Sequence, residues 1–347
     1  MTPLILPYAT TRPEFATPLA YAGTGSAILG RVTVGRNAWI GPLVLIRADG
    51  HVVRVGDDFH IGARSTLHIA HEIFADLIGD RVAIGENSCV HACTVGDDVV
   101  IGDNVVVLDG AVVESNAVLE SGTTVFPGKR IPGGYVYAGA PAKPVRAIEP
   151  GEIAARRAKI VKARDNKMDA PSPVRMPAPG SDIHPTVFIA DTATVRGKIR
   201  AAANTSIWFS NQFDAGPGEI SIGLRTNIQD NTSIRCTTTQ GMRIGQDSTV
   251  GHNVTIEDCT IGDGCLIGIG STVRQGTVVQ DRVLLAASAV TEPGQVLESG
   301  FLYAGNPARK LGALDTGKLA LIDTVIGHYC QYAQDFKAAQ EALKIGA

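Results

Sequence analysis

The sequence predicts an all-β chain of two tandem parallel β-helix domains, each followed by a C-terminal α-helix. Three observations support this fold class. Aliphatic residues recur with a period of six, the whole pattern repeats 166 residues further along the chain, and each repeat region ends in a segment with helical character. Internal repeats of this kind are typical of solenoids, in which each coil packs only on its neighbours.

The period of six is regular in both halves of the chain. A six-residue period is too long for strand alternation and does not fit helical turns. It fits a coil with three short flat sides, each directing one aliphatic side chain inward, with neighbouring coils about 4.8 Å apart. In each half the steps between aliphatic residues are 6, 6, 5, 6, 6, 6, at Ile78, Ile84, Val90, Val95, Ile101, Val107 and Val113, and then at Ile244, Val250, Ile256, Ile261, Ile267, Val273 and Val279.

The domain boundaries follow from the segments beside the repeats. Pro150–Arg164 and Ala313–Lys344 have helical patterns, and such helices can cover the outer surface of a solenoid. Between the copies, residues 165–182 are rich in proline and have the composition of a linker. We therefore predict a first domain over 1–164, a linker over 165–182 and a second domain over 183–347, each domain including its closing helix.

Composition excludes several classes of function. The chain has 31 basic and 34 acidic residues, a formal net charge of −3, and no long basic block, so nucleic acid is a poor candidate partner. The N-terminal residues have neither a basic region nor a long apolar run, so we expect no signal peptide, and no apolar run is long enough to span a membrane. The six cysteines form no CxxC pair and no disulfide spacing, which favours free thiols and a cytoplasmic location.

Two histidines occupy the same position in their hexads. His68 and His91 each follow an inward aliphatic residue. They are 23 residues apart, which is one coil of three hexads plus five residues. Two imidazoles on adjacent coils, about 5 Å apart, can share a metal ion. The alternative is two surface histidines stacked by chance. Four further histidines fall where solvated or packing side chains are expected, at His51, His60, His184 and His328.

The second copy lacks this pair but has a histidine of its own. Arg235 and Glu257 stand at the positions of His68 and His91, and His252 stands where the first copy has Glu86. His252 comes one place later in its hexad, on another side of the coil. It can join the His68/His91 pair only across an interface between two β-helices.

These stretches resemble the γ-class carbonic anhydrase family. The resemblance implies a left-handed β-helix, normally a trimer, with zinc between subunits on two histidines of one and one of its neighbour. Here these would be His68, His91 and His252, with Fe²⁺ or Co²⁺ as other possible metals. The motifs are Arg47-Ala-Asp49, Ser65–His68 and His91–Asp97 in the first copy, and Thr226–Arg235, Gly251-His252 and Asp258–Asp263 in the second.

The family's site positions survive once and only once in this chain. Besides the histidines, the family uses an Arg and an Asp of an Arg-Gly-Asp stretch and the Gln and Asp of Asn-Ile-Gln-Asp. Random decay of two spare copies would leave some positions kept twice or lost twice, whereas selection on one shared interface leaves complementary loss. The first copy keeps Arg47, Asp49, His68 and His91, where the second copy has Asp214, Gly216, Arg235 and Glu257. The second copy keeps Gln229, Asp230 and His252, where the first copy has Gly62, Ala63 and Glu86.

The ligand set and the resemblance together imply the chemistry. Three neutral imidazoles hold Zn²⁺ tetrahedrally and leave one coordination place for water. The pKa of that water falls from ~15.7 towards 7, so that hydroxide is available to hydrate CO₂ to bicarbonate. We expect Gln229 to orient the reacting group. Arg47, Asp49 and Asp230 would form a charged network supporting the ligands. His71 is a candidate proton shuttle, with an ordinary loop histidine as the alternative.

Other interpretations of the same residues stay open. Ala48 and Gly50 depart from the family pattern beside the site, so the chain could be a catalytically weak or silent scaffold or assembly subunit. A hexapeptide acyltransferase is disfavoured by Asn-Ile-Gln-Asp and by the divided histidines. We expect a homo-oligomer or a pseudo-trimeric assembly through β-helix faces, in which the shared site forms within one chain or between chains. If each domain trimerised separately, His68, His91 and Glu86 would form a His₂Glu site instead.

Overall fold

The computed structural model describes residues 3–163 and 173–345. Its chain divides into two compact units, a first unit of residues 1–172 and a second unit of residues 173–347. Each unit is a parallel β-helix followed by one α-helix, so the predicted fold class is confirmed.

The described strands of the first unit are mostly two or three residues long, as expected for one flat side of a coil. In chain order they are β1 (Leu4–Leu6), β2 (Glu14–Phe15), β3 (Tyr21–Ala22), β4 (Ala27–Val34), β5 (Trp39–Ile40), β6 (Leu45–Val55), β7 (His60–Ile61), β8 (Thr66–His68), β9 (Asp76–Ile78), β10 (Ala83–Ile84), β11 (Cys89–His91), β12 (Thr94–Val95), β13 (Val100–Ile101), β14 (Val106–Val107), β15 (Val112–Val113), β16 (Val118–Leu119), β17 (Thr124–Val125), β18 (Arg130–Ile131), β19 (Tyr135–Ala138) and β20 (Lys143–Ala147). Helix α1 (Glu152–Ala163) follows.

The described strands of the second unit follow the same order, except that no strand corresponds to β17. They are β21 (Arg175–Pro177), β22 (Asp182–Ile183), β23 (Phe188–Ile189), β24 (Thr194–Ala201), β25 (Ser206–Ile207), β26 (Gln212–Ile222), β27 (Asn227–Ile228), β28 (Ser233–Arg235), β29 (Met242–Ile244), β30 (Thr249–Val250), β31 (Thr255–Glu257), β32 (Thr260–Ile261), β33 (Leu266–Ile267), β34 (Thr272–Val273), β35 (Val278–Val279), β36 (Leu284–Leu285), β37 (Val296–Leu297), β38 (Phe301–Ala304) and β39 (Arg309–Ala313). Helix α2 (Thr316–Ile345) follows.

Inward aliphatic side chains stack in columns through each unit. On one side of the first unit, parallel pairing in register aligns Ile40, Ile61, Ile84, Ile101 and Leu119 from β5 to β16. All five side chains are fully buried. The hexad pattern therefore produces the predicted core, one aliphatic residue per side of each coil.

The corners between sides use left-handed backbone at residues other than glycine. Arg64, Asn87 and Asn104 occupy the same corner on consecutive coils, with φ of 59°, 51° and 55°. Each amide bonds to the coil before it, as Asn87 N–H does to the carbonyl of Ala63 at 2.8 Å. Asn tolerates this conformation better than most L-residues, which explains its recurrence at the corners.

One long strand in each unit turns a corner and carries site residues. β6 pairs with β8 through Leu45–Arg47 and with β9 through Val53–Val55, so it joins two sides of the coil. Arg47 and Asp49 lie on it. β26 is its counterpart in the second unit and pairs with β28 and β29 in the same way.

The two helices pack on the remaining side of their own units. Ile153 and Ile160 of α1 pack on buried Val100 and Val118. In the second unit, Trp208 meets two rings of α2, those of Tyr329 at 5.0 Å and Phe336 at 5.8 Å between centroids. The prediction of a covering helix after each repeat region is confirmed. Among the described residues, no helix combines the length and apolar character needed to cross a membrane.

The stretch predicted as a linker is described only in part. Residues 164–172 lie outside the described ones. Arg175–Pro177 forms a strand that pairs in parallel with Val195–Gly197. The second unit therefore includes residues that the sequence assigned to the linker.

Candidate metal centre

His68 and His91 lie side by side on adjacent coils. Parallel pairing of β8 with β11 aligns Leu67 with Val90 and His68 with His91. Because Leu67 and Val90 point into the core, the next residue of each strand points outward. Nδ1 of His68 is 3.1 Å from Nε2 of His91, and both side chains are buried.

This separation of nitrogens fits a shared metal ion. Zinc bonds imidazole nitrogen at about 2.0–2.1 Å, so two nitrogens of a tetrahedral site lie about 3.3 Å apart. The 3.1 Å between His68 Nδ1 and His91 Nε2 is close to that value. Little rearrangement of the two rings would be needed to bind such an ion.

A carboxylate lies behind His68. Oδ1 of Asp49 is 3.3 Å from His68 Nε2, the nitrogen turned away from His91. Asp49 also pairs with the guanidinium of Arg47, and both side chains are fully buried. Burial alone would raise the pKa of the Asp49 carboxyl, but Arg47 and His68 hold this pKa well below its usual range. Asp49 is therefore an ionised partner for the imidazole.

A second carboxylate, not identified from the sequence, lies behind His91. Oδ1 of Asp109 lies 2.6 Å from His91 Nδ1, within hydrogen-bond distance. Burial opposes ionisation of Asp109, yet the adjacent His91 ring keeps the pKa of this carboxyl below its ordinary value. Asp109 follows His91 by 18 residues, one full coil, and this spacing is a signal that could have identified it.

The third histidine has a carboxylate partner within its own unit. His252 follows β30, and its Nδ1 lies 3.1 Å from Oδ2 of Asp230. Oδ1 of Asp230 accepts a hydrogen bond from the amide of Phe209 at 3.0 Å, which fixes the carboxyl group. The other ring nitrogen of His252, Nε2, is 3.4 Å from the hydroxyl of Tyr329 on α2.

Gln229 is buried one residue before Asp230. Its Nε2 donates to Oδ1 of Asn227 at 3.2 Å, and Asn227 Nδ2 donates to Thr249 Oγ1 at 2.9 Å. The side-chain amide of Gln229 is thus held by Asn227 of its own coil, which is itself anchored to the neighbouring coil. Its predicted contact with a reacting group stays a prediction.

His71 lies in the turn after β8, next to β6. It has a φ of 33°, and a Cβ on Gly50 would come within 2.9 Å of its Nδ1. Gly50 therefore leaves the space that His71 occupies. This explains one departure from the family pattern, and it places His71 beside the residue that follows Asp49.

The other histidines have ordinary surroundings, as expected. His60 stacks on Trp39 with 4.4 Å between ring centroids. His184 is exposed and bonds Thr186 Oγ1 at 2.9 Å. His51 accepts a hydrogen bond from the amide of Val52, and His328 lies 6.4 Å from Tyr332 between ring centroids.

Where a unit has lost the family's residue at a site position, its backbone keeps the same pairing register as the other unit. Asp214, Arg235 and Glu257 align on β26, β28 and β31 as Arg47, His68 and His91 do on β6, β8 and β11. In the first unit, the replaced positions line a cavity of about 270 Å³ beside α1, at Gly62, Ala63 and Glu86. The losses thus change side chains, while the repeat fold stays the same.

Comparisons with known proteins agree with the repeat pattern. The family described as Bacterial transferase hexapeptide (six repeats) matches residues 92–127 and 241–275. Protein YrdA of Escherichia coli is 34% identical over 178 residues, 49% of this chain and 96% of YrdA. Gamma carbonic anhydrase 1, mitochondrial, of Arabidopsis thaliana is 34% identical over 140 residues, 39% of this chain and 51% of the relative. A solved hexapeptide transferase family protein from Anaplasma phagocytophilum is 29% identical, with a TM-score of 0.43 over 46% of this chain and 95% of that one.

These observations define a hexapeptide-repeat β-helix protein in which His68 and His91 of the first unit, and His252 of the second, each lie beside a carboxylate of their own unit. Within that class, the chain belongs to the γ-class carbonic anhydrase-like family and contains two repeat regions.

Proposed function

We propose that this protein catalyses the zinc-dependent, reversible hydration of CO₂ to bicarbonate at one composite site. Its ligands would be His68 and His91 of the first unit and His252 of the second. The observation that carries the proposal is the single survival of each family position across the two copies.

The contacts inside each unit support the same ligand set. In proteins, a metal-bound histidine usually directs its other nitrogen to a carboxylate or carbonyl, which fixes the ring. Asp49, Asp109 and Asp230 lie behind His68, His91 and His252 respectively. In the copy that lost each histidine, the matching positions are Gly216, Gln275 and Ala63. Histidine and carboxylate have therefore been kept or lost together.

The chemistry divides between the metal and the chain. A bound zinc ion supplies the Lewis acidity that makes water nucleophilic near neutral pH. Arg47 and Asp49 hold His68 in place from a fully buried position, and Asp230 does so for His252. Gln229 orients the reacting group through its side-chain amide. His71, beside Gly50, carries the released proton to solvent.

The assembly follows from the divided ligands. Because neither unit alone has a histidine at all three family positions, the site needs one unit of each kind, from one chain or from two. A homo-oligomer or a pseudo-trimer built through β-helix faces would supply them. We place the protein in the cytoplasm, since all six cysteines are free thiols.

Stopped-flow measurement of CO₂ hydration tests the activity. We expect turnover above background that needs zinc, and that falls as pH drops because the nucleophile becomes protonated. Replacement by Fe²⁺ or Co²⁺ tests the other metals. A metal-loaded protein without hydration above background, whichever of the three ions it holds, would contradict the activity.

A catalytically silent scaffold is the second candidate. Two features favour it. The hydroxyl of Tyr329 lies 3.4 Å from His252 Nε2, and Ala48 and Gly50 depart from the family pattern on either side of Asp49. Metal binding without hydration would support this second function. A hexapeptide acyltransferase, suggested by the description of the matching family, would instead bind coenzyme A, which equilibrium dialysis detects.

A further inference from the structure

We infer that Asp109 is the positioning residue of His91, which it holds in the tautomer and ring orientation that present Nε2 to a metal ion. This inference rests on the proposed function, because it assigns a purpose to the ring nitrogen that the metal would use. Asp109 itself touches neither metal nor substrate in the proposed site.

The geometry of the contact sets the tautomer. Oδ1 of Asp109 is 2.6 Å from His91 Nδ1. An ionised carboxylate only accepts hydrogen bonds, so the proton of the neutral imidazole lies on Nδ1. Nε2 then keeps its lone pair, and it faces Nδ1 of His68 at 3.1 Å. Without the carboxylate, the proton could move to Nε2 and block the ligand position.

The backbone holds Asp109 at the same corner as His91, one coil further on. The amide of Gly110 donates to the carbonyl of Ala92, and the amide of Gly128 donates to the carbonyl of Asp109, both at 2.8 Å. Leu108 is buried beside it. The backbone that carries Asp109 is thus anchored from both neighbouring coils, which places its side chain beside His91.

The second unit provides an internal comparison. Gln275 occupies the same backbone position: Gly276 N–H bonds the carbonyl of Asp258 at 2.8 Å, and Gly294 N–H bonds the carbonyl of Gln275 at 2.9 Å. There, Glu257 replaces His91. A carboxylate needed for the corner itself would be needed in both units. Its presence only beside the histidine indicates that the imidazole is its partner.

The affinity of the full-length protein for zinc, measured by competition with a chelator, tests the inference. Asp109→Ala should weaken binding by about 10–100-fold, the usual effect of losing such a partner. Asp109→Glu should restore a large part of the affinity, which a defect in folding would not allow. Gln275→Ala is the matched control at the same backbone position and should leave affinity unchanged.

The imidazole ¹⁵N spectrum of His91 in metal-free protein gives a second readout that needs no metal. We expect the proton on Nδ1 in the original protein and a mixture of tautomers in Asp109→Ala. Zinc affinity unchanged in Asp109→Ala, or a proton on Nε2 in the original protein, would overturn the inference. If the original protein binds no zinc, the proposed function fails by itself, and the nitrogen spectra still decide the role of Asp109.

Discussion

The hydroxyl of Tyr329 lies 3.4 Å from Nε2 of His252, on the side of the ring opposite Asp230. In the proposed site this nitrogen is a metal ligand, so the hydroxyl and the metal compete for it. Tyr329 lies on helix α2, and its ring packs against the ring of Trp208. In the proposed site, the closing helix of the second unit would therefore influence how readily His252 binds metal.

Tyr329→Phe should strengthen metal binding several-fold. Removing one weak hydrogen bond that binding must break is worth roughly 0.5–1.5 kcal/mol. The ring contact with Trp208 is retained in this variant, and titration with Co²⁺ followed by absorbance measures the affinity. Tyr332→Phe, on the same helix, is the control and should have no effect. Weaker binding in Tyr329→Phe would show that the hydroxyl supports the site instead.

His71→Ala should slow CO₂ hydration in dilute buffer while leaving zinc content unchanged. Only the exit of the proton is affected, so added imidazole should restore the rate. Gly50→Ala should also slow proton exit, because the new Cβ would lie within 2.8 Å of the His71 backbone and 2.9 Å of its Nδ1 and would displace the ring. His184→Ala, an exposed histidine of the second unit, is the control. Full turnover of His71→Ala in dilute buffer would remove His71 from the proton path.

Asp76→Asn should stabilise the protein at neutral pH. Asp76 is fully buried on β9, and burial raises the pKa of its carboxyl well above the usual value, although the amide and thiol of Cys93 oppose this. The unfolded carboxyl ionises near pH 4, so the folded state loses stability as pH rises from there to the raised pKa. Asparagine cannot ionise and avoids this loss.

The gain in Asp76→Asn should be about 1–3 kcal/mol at pH 7 and should shrink towards pH 4. Chemical denaturation at several pH values measures it. Met242→Asp makes the reciprocal change at the equivalent buried position of the second unit and should destabilise the protein. A gain that does not depend on pH would contradict the assignment to ionisation.

The repeat made most of the fold predictable, because the inward residue of each hexad fixes which neighbours face outward. The adjacency of His68 and His91 follows from that register alone. Asp109 could have been found by the same one-coil step. Tyr329 could not, since the contact depends on how α2 packs, 77 residues along the chain from His252. Asp76 departs from the hexad rule by placing a carboxyl group where the second unit has buried Met242.

The zinc content of the His252→Ala variant tests the central claim most directly. We predict about one zinc ion per chain in the original protein and almost none in His252→Ala, as in His68→Ala, because a three-histidine site loses its ion with any one ligand. Arg235→Ala and Glu257→Ala should keep their zinc, since they stand at positions that the second copy has lost. Full zinc in His252→Ala, with loss of zinc in Glu86→Gln, would contradict the composite site and assign the metal to the first unit alone.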